Sequence, residues 1–171
     1  MKLASRRMAA CGMLAALSVT VMVLGSIFGV LVYAAPMLAG LFVLAIREEY
    51  GSRYALTMFA AVAILALLLV PDKEMAAVYA GILGWYPVLR PRLECLPRPI
   101  RWAVKWLIFN AAAVAVYALL LALMGMAALD LGTGWELILV LALANVVFFL
   151  YDRLLNLLTA RGLGPLRRLL G

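Results

Sequence analysis

The chain has 171 residues, 68% hydrophobic and 13% charged, with a mean hydropathy of +1.12. Soluble domains average about 45–50% apolar and about 25% charged, and so short a chain buries too little surface to hide the excess, which excludes a soluble fold. The formal net charge of +7 does not indicate nucleic acid, because there is no compact basic domain or interleaved aromatic surface.

Six apolar runs predict an all-α bundle of six transmembrane helices in a single domain, at about residues 8–27, 30–46, 54–70, 74–89, 102–127 and 135–158. A spanning helix takes about 20 apolar residues, so the second, third and fourth are short. The first run, in "RRMAACGMLAALSVT", has a basic start. It is longer than the apolar part of a signal peptide and lacks a small-x-small cleavage site, so it is expected to stay as a membrane helix. Ala9, Gly12 and Ala16 form a groove of small residues there, with Cys11 and Ala15 beside it. Such spacing lets a second helix approach closely, in a partner or within the same bundle.

The third run stops at Pro71, and "PDKE" follows before the fourth begins. One reading makes Asp72 or Glu74 a cap that complements the helix dipole of the fourth span. The other adds a ligand site: Asp72, Lys73, Glu74, Tyr79 and Trp135 would offer both charge signs and two aromatic faces to a small polar or zwitterionic molecule. Tyr79 and Tyr86 share a face of the fourth run, Gly81 and Gly84 would admit another backbone, and Trp85 and Tyr86 suit a membrane interface. Pro91, Pro97 and Pro99 are expected to forbid a continuous helix through the connection at 90–101.

In the fifth run Asn110 and Tyr117 are seven residues apart. Asp130, Gly132 and Gly134 mark a turn. In the sixth, Asn145, Asp152 and Asn156 lie on one stripe. The antiparallel direction of the two runs predicts one polar cluster of Asn110, Asn145, Asp152 and Asn156, with Lys105 or Arg153 as counter-charge. Its expected role is structural, as contacts between helices. From 159 to 171 leucines alternate with arginines, which reads either as an amphipathic piece on the membrane surface or as a simple positive anchor.

Fourteen of the fifteen Lys and Arg residues fall at alternate ends of the six runs, leaving Lys73 alone on the other face. This bias predicts both termini in the cytoplasm and a cytoplasmic leaflet of anionic lipids beside the basic residues. Asp72, Glu74, Asp130 and Glu136 then face outward. Cys11 and Cys95 face a reducing compartment, where disulfides are rare. With no histidine and no phosphate-binding loop, no metal, cofactor or catalytic residue is expected, and any ATP hydrolysis belongs to a partner.

The six-helix layout, the basic start and the small residues Gly12 and Ala16 (or Cys11 and Ala15) resemble the S components of energy-coupling factor (ECF) transporters. The resemblance covers the whole chain in architecture and only those positions in motif. It implies a bacterial inner-membrane subunit that binds a small nutrient or vitamin-like substrate near the outer face. Its first helix would pack on a membrane coupling protein driven by paired cytoplasmic ATPases. A different class is a non-catalytic scaffold or assembly factor recruiting lipids or cytoplasmic proteins through its basic loops. An intramembrane enzyme has little support, since Asp152 is the one acidic residue inside a predicted span and away from its outer end.

Overall fold

The computed structural model describes residues 2–29, 31, 33–124 and 134–161. Among these residues the protein is helical throughout, with no strand. The elements are α1 (Lys2–Phe28), α2 (Ala34–Tyr50), α3 (Ser52–Leu69), α4 (Lys73–Val78), a π-helical segment (Tyr79–Leu83), α5 (Tyr86–Glu94), α6 (Arg98–Met124) and α7 (Gly134–Arg161). Four stretches are long and apolar enough to cross a membrane: Ser5–Phe28, Ser52–Leu69, Arg98–Leu120 and Leu141–Ala160. This is a membrane protein.

The second and fourth predicted runs are helical but fall outside that set. α2 has 17 residues and closes on Arg47, Glu48, Glu49 and Tyr50. It is the central helix: Ala35, Ala39, Gly40 and Ala45 are small enough to let α1, α3, α5, the π-helical segment and α7 pack around it. The fourth run is divided, with α4 passing through the π-helical segment into Gly84–Trp85 before α5 starts. There the Gly84 amide donates to the Tyr79 carbonyl at 2.8 Å, the i→i+5 spacing of a π-bulge. Gly81 and Gly84 do admit close neighbours, but these are the side chains of Val116 and Phe59 rather than a backbone.

The connection at 90–101 is not one continuous helix, as expected, but the break is confined to its middle. Pro91 lies inside α5, which runs on to Glu94, and the helix breaks only at Cys95–Pro97. Pro91 is the sixth of nine residues in α5, where it costs the helix one hydrogen bond, that to the Pro87 carbonyl, without ending it. Pro99 is accommodated in the first turn of α6, where an amide hydrogen has no intrahelical partner in any case. The turn at Asp130 and Gly132, and tail residues 162–171, lie outside the described residues.

The helices alternate between two ends. At the acidic end the Asp72 amide donates to Ser26 Oγ at 3.1 Å, joining the end of α1 to the start of α4. At the basic end the Arg7 guanidinium lies over the rings of Tyr50 and Tyr54, at 5.9 and 6.0 Å, where α2 turns into α3. That turn is one residue, Gly51, held at φ +93° and ψ 172°. This region is essentially restricted to glycine. Gly51→Ala is expected to cost about 1–3 kcal/mol of stability, read as a lowered unfolding midpoint in detergent; an unchanged midpoint would mean the turn relaxes freely.

One apolar core joins α1, α2 and α3 around Met22, Val43, Val62 and Tyr79. A second lies between α2, α5, α6 and α7 around Leu44, Tyr86, Phe109, Phe148 and Tyr151. Much of α6 and α7 points away from both, with Leu107 69% and Leu143 63% exposed, as expected for lipid-facing positions.

Candidate functional site

Three groups of residues carry chemistry: the acidic-end turn, a buried charged cluster near the basic end, and the outer face of α1.

At the turn, Asp72 is the N-cap of α4, its carboxylate accepting from the Glu74 and Met75 amides at 3.0 and 3.2 Å. The extended Asp72 backbone and free first-turn amides make this the expected conformation for that residue. The Lys73 ammonium folds back to donate to the Leu67 and Val70 carbonyls at 2.8 and 3.1 Å, satisfying the open end of α3. Glu74 accepts from the Tyr33 hydroxyl at 3.2 Å. Each charge is therefore engaged within the fold. Tyr79 lies six residues further along, about 9 Å below at 1.5 Å per residue. It is fully buried, packed on Phe59 at 6.0 Å, and its hydroxyl has no hydrogen-bond partner among the described residues. Trp135 is 70% exposed, and no hydrogen bond or ring contact joins it to the other four.

The buried cluster is more tightly built. Asp152 is fully buried on α7 and receives the Lys105 ammonium through both oxygens, at 2.7 and 2.9 Å. The Tyr86 hydroxyl donates to it at 2.5 Å and the Asn156 amide at 3.2 Å. Arg90, 3% exposed, stands 3.9 Å from the same carboxylate through Nε. Its terminal nitrogens donate to Asn156 Oδ1 at 2.5 Å, Thr159 Oγ1 at 3.0 Å and Glu94 at 2.6 Å. Two cations and two carboxylates thus balance in charge. A charge inside a membrane protein is tolerated when it faces the bundle and finds such partners.

Lys105, not Arg153, is the counter-charge of Asp152; the Arg153 guanidinium rests instead over the Phe149 ring at 5.4 Å. Asn110 and Asn145 form a separate pair, exchanging hydrogen bonds of 3.0 and 3.1 Å. The predicted single cluster is therefore two, with Asn156 in the charged one. Tyr86, Arg90, Glu94 and Thr159 are the members that sequence reasoning missed. The signal was present in Tyr86, Arg90 and Glu94, which are spaced by four residues as on one helix face; reading Pro91 as a break concealed it.

On α1 the face toward the core carries Ala10, Leu14, Ala15, Ser18 and Val19, all buried. Ala9, Gly12 and Ala16 lie on the opposite, exposed face. A Cβ placed on Gly12 would meet nothing within 4 Å among the described residues. Internal packing therefore does not use these three residues, while Cys11 and Ala15 turn toward the core.

Comparison with protein-family models, with curated proteins and with solved structures finds no match.

Proposed function

We propose that the chain is the substrate-binding membrane subunit of an ECF-type importer for a small nutrient or vitamin-like molecule. It performs no catalysis and is energised by partner ATPases through a membrane coupling protein. In this reading six segments cross the bilayer and both termini are cytoplasmic, in keeping with the fourteen basic residues that the sequence puts at alternate ends of its six runs. α4, the π-helical segment and α5 together give about 33 Å at 1.5 Å per residue, enough for the roughly 30 Å hydrocarbon core.

The observation that carries the proposal is the open face of α1. Ala9, Gly12 and Ala16 are exposed, with nothing over Gly12 among the described residues. A groove of this kind lets a partner helix approach closely in lipid. At the opposite end, Tyr79 supports a ligand role through its unspent hydrogen-bonding capacity. It sits in a discontinuous helix, the arrangement from which many transporters build midplane sites.

The test is affinity purification of the tagged protein from its native membranes in mild detergent. A coupling protein with paired ATPases is expected to accompany it. Recovery should fall about tenfold or more, equivalent to about 1.4 kcal/mol, in Gly12→Leu/Ala16→Leu at unchanged thermal stability. Recovery of the protein alone, or of the same partners from both forms, contradicts the proposal.

A second reading, a scaffold or assembly factor acting through its basic loops, draws support from the turn. Asp72, Lys73 and Glu74 are all engaged in internal hydrogen bonds. In that reading charge reversal at Lys73 leaves function intact, whereas neutralising Arg92, Arg98 and Arg101, with buried Arg90 kept, abolishes it.

A further inference from the structure

We propose that the groove between α6 and α7 is a selective site for an anionic phospholipid. One acyl chain would lie along its aromatic wall, with the headgroup held at the basic end by Arg98 and Arg153. The groove encloses about 290 Å³ and is lined by Trp102, Trp106, Asn145, Val146, Phe148 and Phe149. This is at the lower edge of the roughly 300–1,000 Å³ of ligand pockets, suited to a stretch of chain rather than a whole ligand. Trp102 and Phe149 stack across the two helices with centroids 5.4 Å apart, and Phe148 stacks on Phe109 at 4.3 Å.

Asn145, the one amide side chain of the wall, asks for no polar ligand. Asn145 and Asn110 each donate to the other's carbonyl and to a carbonyl of their own helix, Leu141 and Trp106 respectively, both at 2.8 Å. Both amide hydrogens of each residue are thereby used. What remains facing the slot is hydrocarbon and aromatic surface.

Charge identifies the occupant. Because Trp102 meets Phe149, Arg98 lies one turn before the contact on α6 and Arg153 one turn beyond it on α7. Each is four residues from its aromatic neighbour and shares its stripe. Both arginines are exposed, and neither has a carboxylate partner among the described residues. Arg153 already leans on the Phe149 ring at the mouth of the slot. Lys105 is not available, being bound to Asp152. Two free guanidiniums above an apolar slot match a phosphate ester with net negative charge on a hydrocarbon chain. A zwitterionic headgroup offers the same phosphate but brings a cation to the arginines.

The full-length protein in detergent is titrated with phosphatidylglycerol or phosphatidylcholine of identical chains, and bound lipid is counted by native mass spectrometry. A preference for phosphatidylglycerol of about five- to tenfold is expected. It should drop below about twofold in Arg98→Gln/Arg153→Gln, fall partway in each single variant, and persist in Arg92→Gln, an exposed arginine of α5 outside the groove. Trp102→Ala should reduce retention of phosphatidylglycerol with Arg98 and Arg153 still present, which a general attraction to surface charge would not. Equal retention of both lipids by the unaltered protein, or a preference that survives in Arg98→Gln/Arg153→Gln, overturns the proposal.

Discussion

Asp152→Asn is expected to lower the unfolding free energy in detergent by about 3–5 kcal/mol, the cost of breaking a buried ion pair from one side. The reason lies in which partner is stranded. Lys105 is 2% exposed, and among the described residues its ammonium has Asp152 as its carboxylate partner, with only the Trp102 ring besides, at 5.6 Å. Arg90 keeps Glu94, Asn156 and Thr159 whatever happens at position 152. The reverse change should be milder. Lys105→Met leaves the carboxylate hydrogen-bonded to Tyr86 and Asn156, with the unpaired Arg90 Nε 3.9 Å away and free to close on it. Its expected cost is about 1.5–3 kcal/mol, that of lost hydrogen bonds to a charged group. Asp152→Asn/Lys105→Met should then be more stable than Asp152→Asn alone, because the stranded charge is gone and Asn still accepts from Tyr86. Equal unfolding midpoints for the single and double variants would show that Lys105 is not the penalised group.

Gly40→Ala is expected to cost about 1–3 kcal/mol by overpacking. The added methyl would overlap the Tyr151 hydroxyl and come within 2.9 Å of the Leu83 carbonyl oxygen. Those two groups are hydrogen-bonded to each other at 3.2 Å, with Tyr151 1% exposed. α2 thus meets α7 and the π-helical segment at a point where no side chain is tolerated. The contact predicts non-additivity: with Tyr151→Phe the hydroxyl is gone and the nearest ring carbon stands 3.3 Å from the methyl. Gly40→Ala should therefore cost less in the Tyr151→Phe background, with a coupling of about 0.5–3 kcal/mol in the range seen for residues in contact. Additive costs would mean that α2 shifts as a whole rather than meeting the phenol.

The positions of the helices were legible because apolar runs interrupted by proline, glycine and charge are long and few in this chain. The cap at Asp72 was legible for a similar reason: an acid before a helix has a local partner in the next amides. Less could be read where the outcome depends on packing. The π-helical segment at Tyr79–Leu83 coincides with Gly84 against Phe59 and Gly81 against Val116, contacts across more than twenty residues of sequence. The role of Arg90 depended on α5 continuing through Pro91, which lies inside the helix where a short-range rule would end it. For α1, periodicity placed Ala9, Gly12 and Ala16 together but could not say whether that stripe faces the core. The packing of Leu14, Ser18 and Met22 inward sets it outside.

The role of that outer face is the central claim, and site-directed photo-crosslinking in native membranes tests it most directly. A photoreactive residue at Gly12 is compared with one at Leu68 of α3, which is 72% exposed and also faces away from the core. Docking through α1 predicts a crosslink from position 12, and not from position 68, to one membrane protein that itself brings two ATPases. Capture from both positions alike, or of lipid alone from position 12, would contradict it.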